Sequence, residues 1–451
     1  MNYSPQLRTG LLLSGNGTGG AYHAGVLRAL HEAGVKIDVV GGRGIGAVGA
    51  MFAAIDAASK TWEAGGVWQP RAPVRMYEWR PALKWAAGLA LLAVAMLTIP
   101  LLVVATGLVA YPLSFLAQMV YVDAGYRIAN AYTNAIRLSF APGALPTIVP
   151  RLVTLFLAAA AGVLAVSALR TRRTKHAPHR RGGRWWARLV GSPWTPEPGI
   201  AHVRKALWQY FQGSIAAKEP TSVDLSRRYA EQLIENLGQP GFRELIISTL
   251  DLETRGELVF AALREDRRAS YFQRNRGDLV DLSGVGRSQV LDALAGALSV
   301  PVLTTPHVVS FSPESYWKGE SHRISDRVGG VARLMEEMEA AGVEQVIAVC
   351  ADAERAVPHR LVQPAASLET RMAEQYAALE TAGMRDAFAA HAERFGGVFV
   401  IQPGYNPIGP FDYAGVYDDR SDRHLPLSEL IDRGYEDAYK QFVEPIVGGA
   451  E

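Results

Sequence analysis

Two glycine-rich turns near the start of the chain hold the residues whose types and spacing could do chemistry. The first, Gly15-Asn16-Gly17-Thr18-Gly19-Gly20, fits G-x-G-x-x-G between an apolar strand and an amphipathic helix. Such a turn aims backbone N–H groups from a helix N-terminus at a phosphate or an oxyanion. A dinucleotide site also needs an acid at the end of the next strand. That strand ends in Val39, Val40, Gly41 and Gly42, with Asp38 too early, which counts against the alternative of a nucleotide-binding α/β membrane protein. The second turn, Gly42-Arg43-Gly44-Ile45-Gly46, has the spacing of a nucleophile elbow, G-x-S-x-G, with Gly44 in the serine's place. Glycine carries no hydroxyl, so no acyl-enzyme can form there. Ser14 and Thr18 lie close in sequence but outside the sharp turn, and His23 and His31 read as ordinary residues of the first helix.

The elements around these turns make the pattern specific. "LLLSGNGTGGAYHAGVLRAL" followed by "IDVVGGRGIGAVGAMFAA" resembles the patatin-like phospholipase family over residues 10–58. The resemblance implies a three-layer α/β fold around a mostly parallel sheet, and a lipid acyl hydrolase with a Ser–Asp dyad whose acid lies in a D-G-G or D-G-A turn. By analogy Asn16 and Gly17, between Gly15 and Gly20, offer oxyanion N–H groups. Gly44 then occupies the nucleophile position, flanked by Arg43 and held by Gly42 and Gly46. A fainter likeness covers residues 293–350, where "HRISDRVGGVARLMEEMEAAGVEQVIAV" makes Asp326 the candidate acid. The pattern departs at Arg327, where a Gly belongs, and a second register at Lys318-Gly319 would lose the acid altogether. Two readings follow. One is a degenerate, catalytically impaired member that binds lipid or an acyl group at the membrane. The other is an active membrane-lipid acyl hydrolase, its serine removed by engineering or replaced by another hydroxyl.

Further elements must complete the sheet that positions these turns. Strand, turn, helix, strand, turn, helix across the first 60 residues gives only two strands, too few for a stable sheet. Apolar β-rich runs recur at 244–249, 257–262, 345–351 and 397–401, between helical stretches such as 333–341 and 368–394. They are expected to join the first two strands in one open α/β sheet.

Between the two parts the chain turns apolar. Residues 85–122 are 38 residues without a charge, and 152–169 are 18 more. Runs of this length read as membrane spans, here at about 85–111 and 152–169. Twelve basic residues flank the pair on its outer sides and three (Arg127, Arg137, Arg151) lie between. The positive-inside rule then puts both flanks in the cytoplasm, with two crossings and both termini cytoplasmic. The basic flank 170–188, with Trp185 and Trp186, suits anionic lipid headgroups. The expected division is 1–70 and 191–451 for the α/β domain and 71–190 for the membrane insertion.

Composition bounds the rest. The chain has 451 residues with 46 Lys plus Arg against 44 Asp plus Glu, a net charge of +2. Disorder, collagen and disulfide scaffolds are excluded, and nucleic acid is a poor partner. The single Cys350 reads as a buried thiol, and the short Leu11–Leu13 run is too brief for a signal peptide. Asp412, Asp418, Asp419 and Asp422 read as a solvated acidic loop, since their spacing matches no calcium loop. No metal and no cofactor is expected.

Overall fold

Along β1 (Thr9–Ser14), Leu11 and Leu13 enter one apolar cluster and Leu12 another. The period-2 alternation of a strand buried on both faces causes this. In β2 (Val39–Gly42), Val40 and Val39 divide the same way. The computed structural model describes residues 3–70, 75–173, 191–213, 218–274, 277–353, 367–418 and 422–447. They form two compact units, one of residues 1–78 with 194–451 and the other of residues 79–193.

The first unit is an α/β fold with a mostly parallel sheet flanked by helices. Its further strands are β3 (Glu244–Asp251), β4 (Glu257–Ala262), β5 (Leu279–Asp281), β6 (His307–Ser310), β7 (Ser321–Ser325), β8 (Gln345–Cys350) and β9 (Gly397–Ile401). The spatial order is β9-β8-β1-β2-β3-β4-β5, and the β6–β7 hairpin joins antiparallel to the end of β3. Pairing is parallel from β9 through β3, with Thr9 opposite Gln345 on one side and Gly10 opposite Val39 on the other. The β3–β4 pair is antiparallel. The first two strands therefore sit at the centre of a sheet whose neighbours come from beyond residue 240.

One face is covered by α1 (Gly19–Glu32), α2 (Gly46–Ala54), α3 (Glu197–Gln212), α4 (Ser222–Asn236), α5 (Val290–Ala297) and α6 (Ser428–Ala438). Helices α7 (Val331–Ala340) and α8 (Leu368–His391) cover the other. The short strands β5, β6 and β7 escaped the sequence reading, because segments of three to five residues carry little periodicity. The helices α3 and α4 were passed over although α4 buries Leu225, Tyr229 and Leu233 at helical spacing.

The second unit is helical. Helix M1 (Pro81–Ala105) runs through Thr106 into M2 (Gly107–Val120), followed by M3 (Val122–Ser139) and M4 (Leu145–Arg173). Two stretches, Pro81–Val120 and Leu145–Arg170, are long and apolar enough to cross a membrane. M1 packs on M4, with the small residues Ala86, Ala93 and Ala160 buried, and M2 packs on M3. The first apolar run is thus 40 residues of helix, longer than the expected 85–111. The segment between the two apolar runs is mostly the helix M3. Most of the basic flank 170–188, with Trp185 and Trp186, lies outside the described residues, as does Asp419.

Candidate functional site: a glycine elbow closed by Arg43

The chain turns from β2 into α2 through Arg43, Gly44 and Ile45, and the backbone at Gly44 has φ of +54°. A left-handed residue at the centre of a strand-to-helix turn is the strained geometry of an elbow, and glycine adopts it without a Cβ penalty. A Cβ on Gly44 would lie 2.3 Å from the carbonyl oxygen of Gly15 and 3.4 Å from Asp326 Oδ2. The N–H of Ile45 donates to that same Gly15 carbonyl at 3.0 Å, so the two glycine turns are bonded to each other.

Arg43 turns inward and is 1 % exposed. Its Nε donates to Asp326 Oδ1 at 3.1 Å and its Nη2 to Asp326 Oδ2. Nη1 donates to both carboxylate oxygens of Glu380, on α8, and to Ser14 Oγ at 3.0 Å. Ser14 Oγ in turn donates to Glu380 Oε2 at 3.0 Å, and Asn16 Nδ2 donates to Glu380 Oε1 at 2.6 Å. All of these side chains are buried. The guanidinium therefore lies between two carboxylates at the carboxyl ends of β1 and β2, where open α/β sheets ordinarily hold ligands.

The glycine-rich turn is covered as well. The N–H of Thr18 donates to the Pro410 carbonyl at 2.8 Å, and Thr18 Oγ1 donates to the Gly409 carbonyl at 2.9 Å. Gly17, with φ of +52°, sits so close to Pro410 that a Cβ would meet its carbonyl oxygen at 1.7 Å. Gly20 is pressed against the Trp68 ring. Around the two residues that the resemblance gives to the oxyanion turn, the Asn16 side chain is bonded to Glu380 and Gly17 is packed against Pro410. Two clefts of about 370 and 640 Å³ lie elsewhere, one by Arg8 and Arg243 and the other by Arg268 and Trp317.

The electrostatics follow from burial. Burial pushes the Asp326 carboxyl up to about 6, Arg43 opposes the shift, and Glu380 adds to it. Asp352, just after β8, is pushed up to about 7 by burial and by Glu380. Burial works against the charge on Arg43, but Asp326 and Glu380 outweigh it and hold its pKa above the ordinary value. The cluster thus sets one fixed cation among three carboxyl groups, two of which titrate near neutrality.

Asp326 faces Gly44 from the end of β7, with its backbone N–H anchored on the Ser299 carbonyl at 2.9 Å. Lys318 and Gly319 lie in the loop between β6 and β7, outside this cluster. Arg327, in place of the glycine, pairs with Glu257. His23 is fully buried with Nε2 3.0 Å from the Ser14 carbonyl, and burial, reinforced by Arg43, lowers its pKa to about 4. His31 lies at the end of α1 beside Trp62. Cys350 is buried, and burial raises its pKa. Among the described residues no His, Cys, Asp and Glu group could hold a metal ion.

Glu380 and Asp352 were missed by sequence reasoning. Glu380 is one acid in an Ala- and Glu-rich helix and carries no signal. Asp352 did carry one, its place just beyond the carboxyl end of a parallel strand.

No protein-family model matches the chain. Over 59 residues, 13 % of this chain and 4 % of the relative, it is 48 % identical to the patatin-like phospholipase domain-containing protein 6 of Mus musculus. It is 53 % identical over 45 residues to the patatin-like phospholipase domain-containing protein ZK370.4 of Caenorhabditis elegans, and 49 % over 45 residues to lysophospholipase nte1 of Aspergillus fumigatus. These segments are 10 % of this chain and 3 % of each relative. The crystal structure of VipD from Legionella pneumophila aligns over 99 % of this chain and 67 % of its own at 14 % identity, with a TM-score of only 0.31. The segment similarity and the mostly parallel sheet flanked by helices are together consistent with a patatin-like, lipid-hydrolase fold.

Proposed function

We propose that this chain is a membrane-bound patatin-like protein that does not hydrolyse lipid esters, Gly44 standing where the family carries its serine. The carrying observation is the Arg43 guanidinium, buried between Asp326 and Glu380 beside an elbow with no room for a side chain. A dyad acid must be free to orient a nucleophile, and both carboxylate oxygens of Asp326 are instead engaged by Nε and Nη2 along one edge of Arg43. The two long apolar helices support attachment to the bilayer, M1 and M4 crossing it, with the α/β unit, both termini and the basic flank 170–188 on the cytoplasmic side against anionic headgroups. Its role is then to bind lipid or an acyl group, or to hold a folded α/β unit at the membrane surface, rather than turnover.

One observation favours a second reading, an active hydrolase that uses Ser14. Its hydroxyl has a carboxylate partner, Glu380, at 3.0 Å. Burial of Ser14 and the hydrogen bond it accepts from Arg43 oppose this reading. An alkyl fluorophosphonate, which phosphonylates activated serines, separates the two. The proposal expects no adduct by intact mass; an adduct mapped to Ser14 and lost in Ser14→Ala would establish the second reading.

A further inference from the structure

M2 and M3 form a helical hairpin with two unlike outer faces. They pack through close contact at Gly125, whose carbonyl accepts from Ser114 Oγ at 2.8 Å, and at Gly107, which lies under the Tyr132 ring. Tyr132 Oη also donates to the Val104 carbonyl at 3.0 Å, which ties the hairpin to the end of M1. The outward side of M2 is apolar, with Leu108, Leu116, Met119 and Val120 between 57 % and 89 % exposed. Along M3, Asp123, Arg127, Asn130, Asn134 and Arg137 recur at spacings of four and three, and all are exposed. That spacing puts them on one stripe of the helix.

Length decides what this hairpin can be. M1 has 25 residues, about 37 Å at ~1.5 Å per residue, and already exceeds a hydrocarbon core of about 30 Å. M2 has 14 residues, about 21 Å, too short to cross alone. Run together as one span they would reach about 60 Å, and the far end would carry uncharged, exposed leucines into water. A two-helix element with one apolar and one polar outer face fits a bilayer interface, where the apolar side enters the acyl chains. Tyr111, Tyr121 and Tyr126 are exposed on the hairpin, as residues of the headgroup layer are.

We infer that M2–M3 does not span the bilayer but lies in the far leaflet as an interfacial hairpin, with the outer face of M2 in the acyl chains and the Asp123–Arg137 stripe of M3 in water. The partner of this surface is lipid, and the inference rests on M1 and M4 crossing the membrane. The hairpin is then a lipid-contact element in its own right.

The test uses the full chain with Cys350→Ala, reconstituted in phosphatidylcholine and phosphatidylglycerol vesicles and spin-labelled at single exposed positions. Val94 and Leu157 report the middle of the spans, Leu116 and Val120 report M2, and Asn130 and Asn134 report M3. Oxygen favours the bilayer centre and a polar nickel chelate favours water, so their accessibility ratio gives depth. Highest oxygen access is expected at Val94 and Leu157, intermediate depth at Leu116 and Val120, and full chelate access at Asn130 and Asn134. Leu116 as deep as Val94, or M2 as open to chelate as M3, overturns the hairpin alone. Chelate access at Val94 and Leu157 as well would overturn membrane insertion itself.

Discussion

Arg43 Nε donates to Asp326 Oδ1 at 3.1 Å, across 283 residues of sequence and beneath the glycine elbow. The pairing joins the residue before the elbow's central position to the carboxylate that the family pattern would give to a nucleophile. Each charge is buried, so each depends on the other. Removing one partner of such a buried pair typically costs about 3–5 kcal/mol. Arg43→Met is therefore expected to lower stability in chemical denaturation by an amount of that order, with a smaller loss at pH 5 than at pH 8. At the lower pH Asp326 and Asp352 take up protons and no longer need the cation.

The same acids set a pH dependence in the intact protein. Both folded-state values, about 6 for Asp326 and about 7 for Asp352, lie above the 3.8 of a free Asp. Groups raised in this way favour the folded state below pH 4, and that contribution is lost as pH rises through 6 and 7. Asp352→Asn keeps the shape and removes one titration. It is expected to raise the melting temperature at pH 8 by several degrees and to change little at pH 4, as thermal scans at the two pH values would reveal. An unchanged difference between the two would place Asp352 outside the coupled cluster.

Gly44→Ser probes the elbow. The new Cβ meets the Gly15 carbonyl at 2.3 Å in a backbone region with φ of +54°, so the two turns must separate. A destabilisation of about 1–3 kcal/mol is expected from the backbone strain alone. Hydrolysis is not expected to return, because Asp326 remains held by Arg43. A variant as stable as the parent would mean that residue 44 does not sit at a strained turn.

Much of this arrangement was legible in the sequence where it is local. The β1–turn–α1–β2–turn–α2 run declares itself because apolar period, glycine spacing and helix start coincide within 50 residues. Asp326 was reachable through the strand and helix that surround it. Glu380 was not, since it lies 366 residues from Ser14 and only the packing of α8 brings the two within 3.0 Å. The inward turn of Arg43 was equally hidden, because an arginine in a glycine turn reads as solvent-facing until a carboxylate pair is known to await it. Pro410 over Thr18 is a loop placement with no periodic signal at all.

Topology is testable apart from chemistry. With M1 and M4 crossing, cysteines placed at Pro5 and at Lys440 should both resist a membrane-impermeant maleimide applied outside intact cells, while one at Asn134 should react. Labelling of residues 5 and 440 from opposite sides would be incompatible with two crossings and with β1 sharing a sheet with β8 and β9.

A silent site is tested most directly by fatty-acid release from mixed phospholipid vesicles, followed by mass spectrometry, for the parent chain and for Asp326→Asn. Without a nucleophile at residue 44 both are expected to match the protein-free blank. Release above that blank by the parent, falling by orders of magnitude in Asp326→Asn, would contradict this and make Asp326 a catalytic acid.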